Sequence, residues 1–134
     1  MLKPALIAIV DDDRAFRDSM GRLIKSLGYG IAVFASAAEL LAFPGLAATA
    51  CLIADVQMPA MTGIDLYRRL IEMGYAIPTI LVTAYPDEGD QDRMLTLGVH
   101  CYLRKPLDPD DLISRLRAAV ARGCAPRDGP GSQQ

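Results

Sequence analysis

Two kinds of hydrophobic pattern alternate along the chain. In one, nearly every residue is apolar: "ALIAIV" (5–10), "GIAVFA" (30–35), "ACLIAD" (50–55), "PTILVT" (78–83) and "VHCYLRK" (99–105). A strand buried on both faces needs no polar side, so these runs predict strands of a parallel sheet covered above and below. In the other, apolar residues return every three or four positions. After Asp13 the spacing of Phe16, Met20, Leu23, Ile24 and Leu27 predicts a helix that Gly28 stops. Ser36 and Glu39 form a capping box for a helix over 37–43, ended by Pro44 and Gly45. Further helices are predicted over 64–73, closed by Gly74, over the polar segment 87–97, closed by Gly98, and over 108–122. Asp108 is the N-cap of the last, with Pro109 at its first position and Asp111 three residues after the cap.

Five strands alternating with five helices predict an α/β fold: one parallel sheet of order 2-1-3-4-5 with helices on both faces, the flavodoxin-like arrangement. At 134 residues this is one domain, expected over 1–122. The remainder, 123–134, "GCAPRDGPGSQQ", has linker composition and is expected to be a disordered tail. No internal repeat is present.

Composition narrows the function classes. Half the residues are hydrophobic (51%) and the net charge is −2, so nothing favours direct binding to nucleic acid or to an anionic membrane. The apolar run at 5–10 is too short to span a bilayer and lacks a signal-peptide cleavage pattern. Cys51, Cys101 and Cys124 show no metal-ligand spacing. The first two fall in strand runs and read as buried, inert thiols, consistent with a reducing cytoplasm. His100, the single histidine, reads as a surface residue near a strand start.

The candidate chemistry lies where the strands end. In a doubly wound sheet the site lies outside the carboxyl ends of the strands, where strand order reverses. The first strand runs into Asp11 and Asp12, the third ends in Asp55, the fourth in Thr83 and the fifth in Lys105. Strands one and three are neighbours, so three carboxylates meet at one edge. At about 4 Å and an effective dielectric of about 20, each like-charged pair costs roughly 4 kcal/mol, so the cluster calls for a cation. Hard carboxylate oxygens suit Mg2+. An ammonium and a hydroxyl facing that metal can hold a phosphoryl group, and Asp55 between them can act as its nucleophile. Each residue taken singly also has an ordinary reading. Asp13 is a helix cap, Lys105 before Pro106 an exposed lysine, and Thr83 a hydroxyl that caps the next turn.

"IAIVDDDRAFRDSM", "CLIADVQMPAMTG", "ILVTAYPD" and "YLRKPL" together resemble the receiver domain of two-component response regulators, in order and over residues 5 to 121. The segment "LGYGIAVFASAAELLAF" resembles receivers of nitrogen-fixation-type transcription regulators, which carry a C-terminal helix-turn-helix domain. The chain ends before any such domain, so the expectation is a stand-alone receiver or a fragment ending in its linker. The resemblance implies the following roles. Asp55 is the phosphoacceptor. Asp11 and Asp12 are the acidic pair, with Asp12 the direct metal ligand, and Gln57 supplies a backbone carbonyl to the metal. Thr83 is the switch hydroxyl, Tyr102 the aromatic that moves with it, and Lys105 the phosphate-pairing lysine, followed by a cis bond to Pro106. Gly63 closes the loop after the acceptor. The implied partners are a histidine kinase or phosphotransfer protein and a second copy docking through the face of the fourth helix, fifth strand and fifth helix.

Tyr85 departs from the resemblance. A ring leaning over the site would slow the entry of water and prolong phosphorylation, whereas one turned outward would belong to a partner surface. Three other functions compete with a signalling switch. A Mg2+-dependent phosphohydrolase working through an aspartyl-phosphate would carry a second carboxylate at position 57, where Gln57 stands. A constitutive interaction module would not need Asp12, Asp55, Thr83 and Lys105 together. A flavin binder would be repelled by carboxylates after the first strand.

Overall fold

In the computed structural model, residues 4–124 are described. Strands β1 (Leu6–Val10), β2 (Gly30–Phe34), β3 (Thr49–Asp55), β4 (Thr79–Thr83) and β5 (Cys101–Arg104) form one sheet of order β2-β1-β3-β4-β5, every pair parallel. Helices α1 (Arg14–Ser26), α2 (Ala37–Leu41), α3 (Gly63–Glu72), α4 (Glu88–Leu97) and α5 (Pro109–Cys124) connect and cover it. Fold class and strand order agree with the sequence pattern.

The uninterrupted apolar runs conceal a period of two. Ile7, Ile9, Cys51, Ile53, Ile80 and Val82 point to one side and pack with Met20 and Ile24 of α1 and with Leu112 and Leu116 of α5. Ala8, Val10, Leu52, Ala54 and Leu81 point to the other, against Leu40 of α2, Leu66 and Leu70 of α3 and Met94 of α4. Each of the central strands β1, β3 and β4 is therefore an apolar wall between two cores, which is why little polar side shows in its sequence, whereas the edge strands β2 and β5 are partly open.

Element ends depart from expectation for local reasons. Helix α2 stops at Leu41 rather than 43, because the residue before Pro44 is biased away from helical geometry, and an unforeseen 3-10 turn, Leu46–Ala48, leads into β3. Strand β5 is shorter than the 99–105 run, although the N–H groups of His100 and Lys105 still bond the carbonyls of Thr79 and Thr83 on β4, each at 2.8 Å. Helix α5 reaches Cys124, two residues into the expected tail, and the rest of that tail lies outside the described residues.

The Asp108 carboxylate accepts from the N–H of Asp110 at 3.3 Å, as its capping position predicts. His100 is half-buried rather than at the surface, and burial, followed by the charges of Arg122 and Arg115, lowers its pKa. Burial pushes the Cys51 thiol up to about 12, with Cys101 adding to the rise, and burial also raises Cys101. Neither is the thiolate that reactivity requires at neutral pH. Among the described residues no helix is long and apolar enough to cross a membrane.

Candidate functional site

Parallel register brings the polar strand ends side by side. Val10 pairs with Ala54, Asp55 with Val82, and Thr83 with Arg104. The next residue out on β1 is Asp11, and on β5 it is Lys105, so both flank Asp55 and Thr83 along one edge. Asp11 and Asp55 are buried, whereas Asp12 is exposed. One oxygen from each of Asp11, Asp12 and Asp55 lies within 4.8 Å of the other two. The third aspartate of the run does different work: Asp13 is the N-cap of α1, its carboxylate accepting from the N–H of Ala15 at 3.0 Å.

Part of the cation that the cluster calls for comes from the chain itself. Lys105 Nζ donates to Asp11 Oδ2 at 2.8 Å and stands 3.6 Å from Asp55 Oδ1. Its ammonium also lies 4.3 Å above the ring centre of Phe16, a cation–π contact that fixes it from the α1 side. Burial pulls the Lys105 pKa down, but the hydrogen bond and charge of Asp11 outweigh it and the net shift is upward. The lysine therefore stays charged. Asp11 is held further by the N–H of Asp13 on its Oδ1 at 2.8 Å, and its carbonyl accepts from the Arg17 guanidinium at 2.7 Å.

One ammonium does not neutralise three carboxylates. The remaining stress appears at Asp55, whose pKa rises to about 6: burial contributes most, Asp11 next, and Lys105 opposes both. With all three ionised, three negative charges less one positive leave −2, matched in size by one divalent cation. The donors are hard oxygens, one of them exposed, and this set fits Mg2+ with water completing its shell.

The loop after Asp55 is held tightly under the site. A Cβ at Gly63 would lie 2.3 Å from the Asp55 carbonyl oxygen, so only glycine lets α3 start this close to β3. Ala60 sits at φ 68°, a left-handed conformation that costs a side-chain-bearing residue about 1 kcal/mol or more. Thr83 is fully buried, and its Oγ donates to Gln57 Oε1 at 2.6 Å and accepts from the N–H of Tyr85 at 3.0 Å. Tyr85 is 77% exposed, which favours the partner-surface reading over the gatekeeping one. Tyr102 pairs with Leu81, two positions below Thr83, and packs half-buried on the side of the sheet covered by α2, α3 and α4. The peptide between Lys105 and Pro106 is cis.

The site thus gathers Asp11, Asp12, Asp55, Thr83 and Lys105, leaving Tyr102 at a lower level of the sheet. Sequence reasoning missed three contributors: Phe16, read as an ordinary core position of α1; Arg17; and the side chain of Gln57, for which only the backbone had been considered. For Phe16 a signal existed, since a first-turn residue after the β1 carboxylates must face the same edge.

A family profile described as the response regulator receiver domain matches residues 7–117. The response regulator protein TmoT of Ectopseudomonas mendocina is 35% identical over 116 residues, 87% of this chain and 53% of that protein. The transcriptional regulatory protein FixJ of Bradyrhizobium diazoefficiens is 34% identical over 115 residues, 85% of this chain and 56% of that one. The chain spans about half the length of the curated relatives it matches. Among solved structures, a CheY-like receiver domain protein from Methanospirillum hungatei JF-1 superposes with a TM-score of 0.82 at 27% identity, covering 90% of this chain and 97% of that one.

Proposed function

This chain belongs to the response regulator receiver domain family, and on that premise we propose that it is a switch thrown by phosphorylation of Asp55. As a receiver domain of two-component systems it is a signalling domain rather than a classical enzyme. The observation that carries the assignment of residues is the meeting of Asp11, Asp12 and Asp55 within 4.8 Å, with the Lys105 ammonium on two of them.

Asp12 and Asp55, with Asp11 beside them and the backbone carbonyl of Gln57, would hold Mg2+. When bound, the metal supplies positive charge against the phosphoryl oxygens and the carboxylates. The rest is the work of the chain. An Asp55 carboxylate oxygen attacks the phosphorus of a phosphohistidine on a kinase or phosphotransfer protein; an O–P bond forms as the N–P bond breaks, and the imidazole nitrogen keeps the electron pair. Lys105, already on the Asp11–Asp55 edge, pairs with a phosphoryl oxygen. Thr83 offers its hydroxyl from β4, and Tyr102 follows in its wake. The response then spreads over the face of α4, β5 and α5, where a second copy of the domain or an output domain reads it. The longer relative FixJ is a transcriptional regulatory protein, and we assign this chain a comparable output, through a domain outside it, in the cytoplasm.

A phosphohydrolase is disfavoured. The place of its second carboxylate is filled by Gln57, whose amide is engaged with Thr83. Intact mass after exposure to a small acyl phosphate tests the proposal. One added phosphoryl group is expected with Mg2+ and none with chelator, and Asp55→Asn takes up none at that site. Equal labelling in chelator would overturn the metal-assisted reading.

A further inference from the structure

We infer that Gln57 is a positioning residue that latches the Thr83 hydroxyl in the unphosphorylated state and sets how readily the switch moves. The inference rests on the reading of Asp55 as phosphoacceptor and concerns the regulation of that same site. A threonine hydroxyl has one proton to donate and two lone pairs to accept with. The proton of Thr83 goes to Gln57 Oε1 at 2.6 Å, and one lone pair takes the N–H of Tyr85 at 3.0 Å. Thr83 is fully buried at the end of β4, so no water competes for that proton from bulk solvent. An oxygen arriving on Asp55 can receive it only if Gln57 gives it up.

The geometry makes the latch one-sided. Gln57 is exposed, so when released its amide finds water at little cost, whereas a buried hydroxyl with no acceptor would be penalised. Gln57 therefore satisfies Thr83 at rest and is dispensable once a phosphoryl oxygen takes over. The two residues are 26 positions apart in the chain and sit on different elements, the loop after β3 and the end of β4. The contact is thus a product of the tertiary fold, linking the acceptor loop to the switch strand directly. A residue without an acceptor at position 57 leaves the Thr83 proton unclaimed and raises the population of protein prepared to receive phosphate.

The test uses beryllofluoride with Mg2+ as a non-reacting stand-in for the phosphoryl group, in a double-mutant cycle on the whole chain. Gln57→Leu is expected to bind it about three- to tenfold tighter than wild type, the worth of one ordinary hydrogen bond. In a Thr83→Val background, and in Thr83→Ala should valine perturb packing, Gln57→Leu is expected to change nothing. In the metal-free protein the Thr83 methyl resonance of Gln57→Leu should move toward its position in the wild-type beryllofluoride complex. Equal tightening with and without the Thr83 hydroxyl would overturn the latch, as would unchanged affinity in Gln57→Leu. Failure of wild type to bind beryllofluoride at all would overturn the phosphoacceptor reading, and the latch with it.

Discussion

Asp55 is an uncomfortable residue, buried beside another carboxylate. Its pKa stands near 6 in the folded chain against an ordinary 3.8, burial being the main cause and Asp11 the next. A carboxylate whose folded pKa is raised binds its proton more tightly when folded. Its protonation therefore supports the fold fully below about pH 4, and that support is lost as pH rises through about 6. Two pKa units correspond to about 3 kcal/mol as an upper bound. Asp55→Asn should accordingly stabilise the metal-free protein at pH 7.5, and the gain should shrink toward pH 4.5; urea unfolding of both proteins at the two pH values checks this. Tyr85 yields the opposite kind of expectation. With Tyr85 77% exposed, Tyr85→Ala should leave the first-order decay of phosphorylated protein unchanged, and markedly faster decay would mean the ring covers the phosphoryl group. That Asp55 and Lys105 meet at one edge is legible from their places at strand ends. The partner of Gln57 is not, because periodicity fixes the face a residue occupies but not the rotamer that lets two side chains 26 residues apart meet.

At the scale of elements, the junction of β3 and α3 is the most constrained. The N–H of Gly63 bonds the Val56 carbonyl at 3.0 Å, and its missing Cβ makes room for the Asp55 carbonyl. Gly63→Ala sets carbon against a backbone oxygen at 2.3 Å, where no flexible side chain can yield. The expected loss is about 2 kcal/mol or more, read as a lower melting temperature together with impaired Mg2+ binding, because β3 must shift at Asp55. The central strands of this fold are readable as apolar runs since burial on both faces confines their polar residues to the strand ends. Helix α4 is readable for another reason: Asp87 caps it, accepting from Gly89 and Asp90, and Gly98 ends it in a left-handed turn. In the sequence Gly98 marks its end even though only Met94 on it is buried, while the Asp87 cap emerges only in the structure. The end of α2 was less clear because a proline and a glycine together mark a stop without saying on which residue it falls.

Taken whole, the molecule is a sheet between two cores that carries three clustered carboxylates at one edge. If a divalent cation is held there as proposed, its binding stabilises the folded state by mass action, about 2.7 kcal/mol at a hundredfold excess over Kd. Mg2+ should raise the melting temperature of wild type. In Asp12→Asn most of that rise should vanish, while the metal-free melting temperature should be no lower than wild type, since an exposed negative charge has left a repulsive cluster. A lower metal-free value would show that Asp12 supports the fold rather than straining it.

The pairing of Lys105 with Asp11 has one more consequence. Dissolved ions weaken exposed pairs, with a screening length of about 8 Å at physiological ionic strength, but reach buried pairs poorly. Asp11 is wholly buried and the Lys105 side chain is 19% exposed, whereas Arg14–Asp18 and Arg115–Asp111 lie open on their helices. As salt rises the helix-surface pairs fade while the ammonium keeps its seat at the sheet edge. The charge state of the Asp11–Lys105 edge is thereby insulated from the ionic strength of its surroundings, and only the exposed helix surfaces are tuned by it.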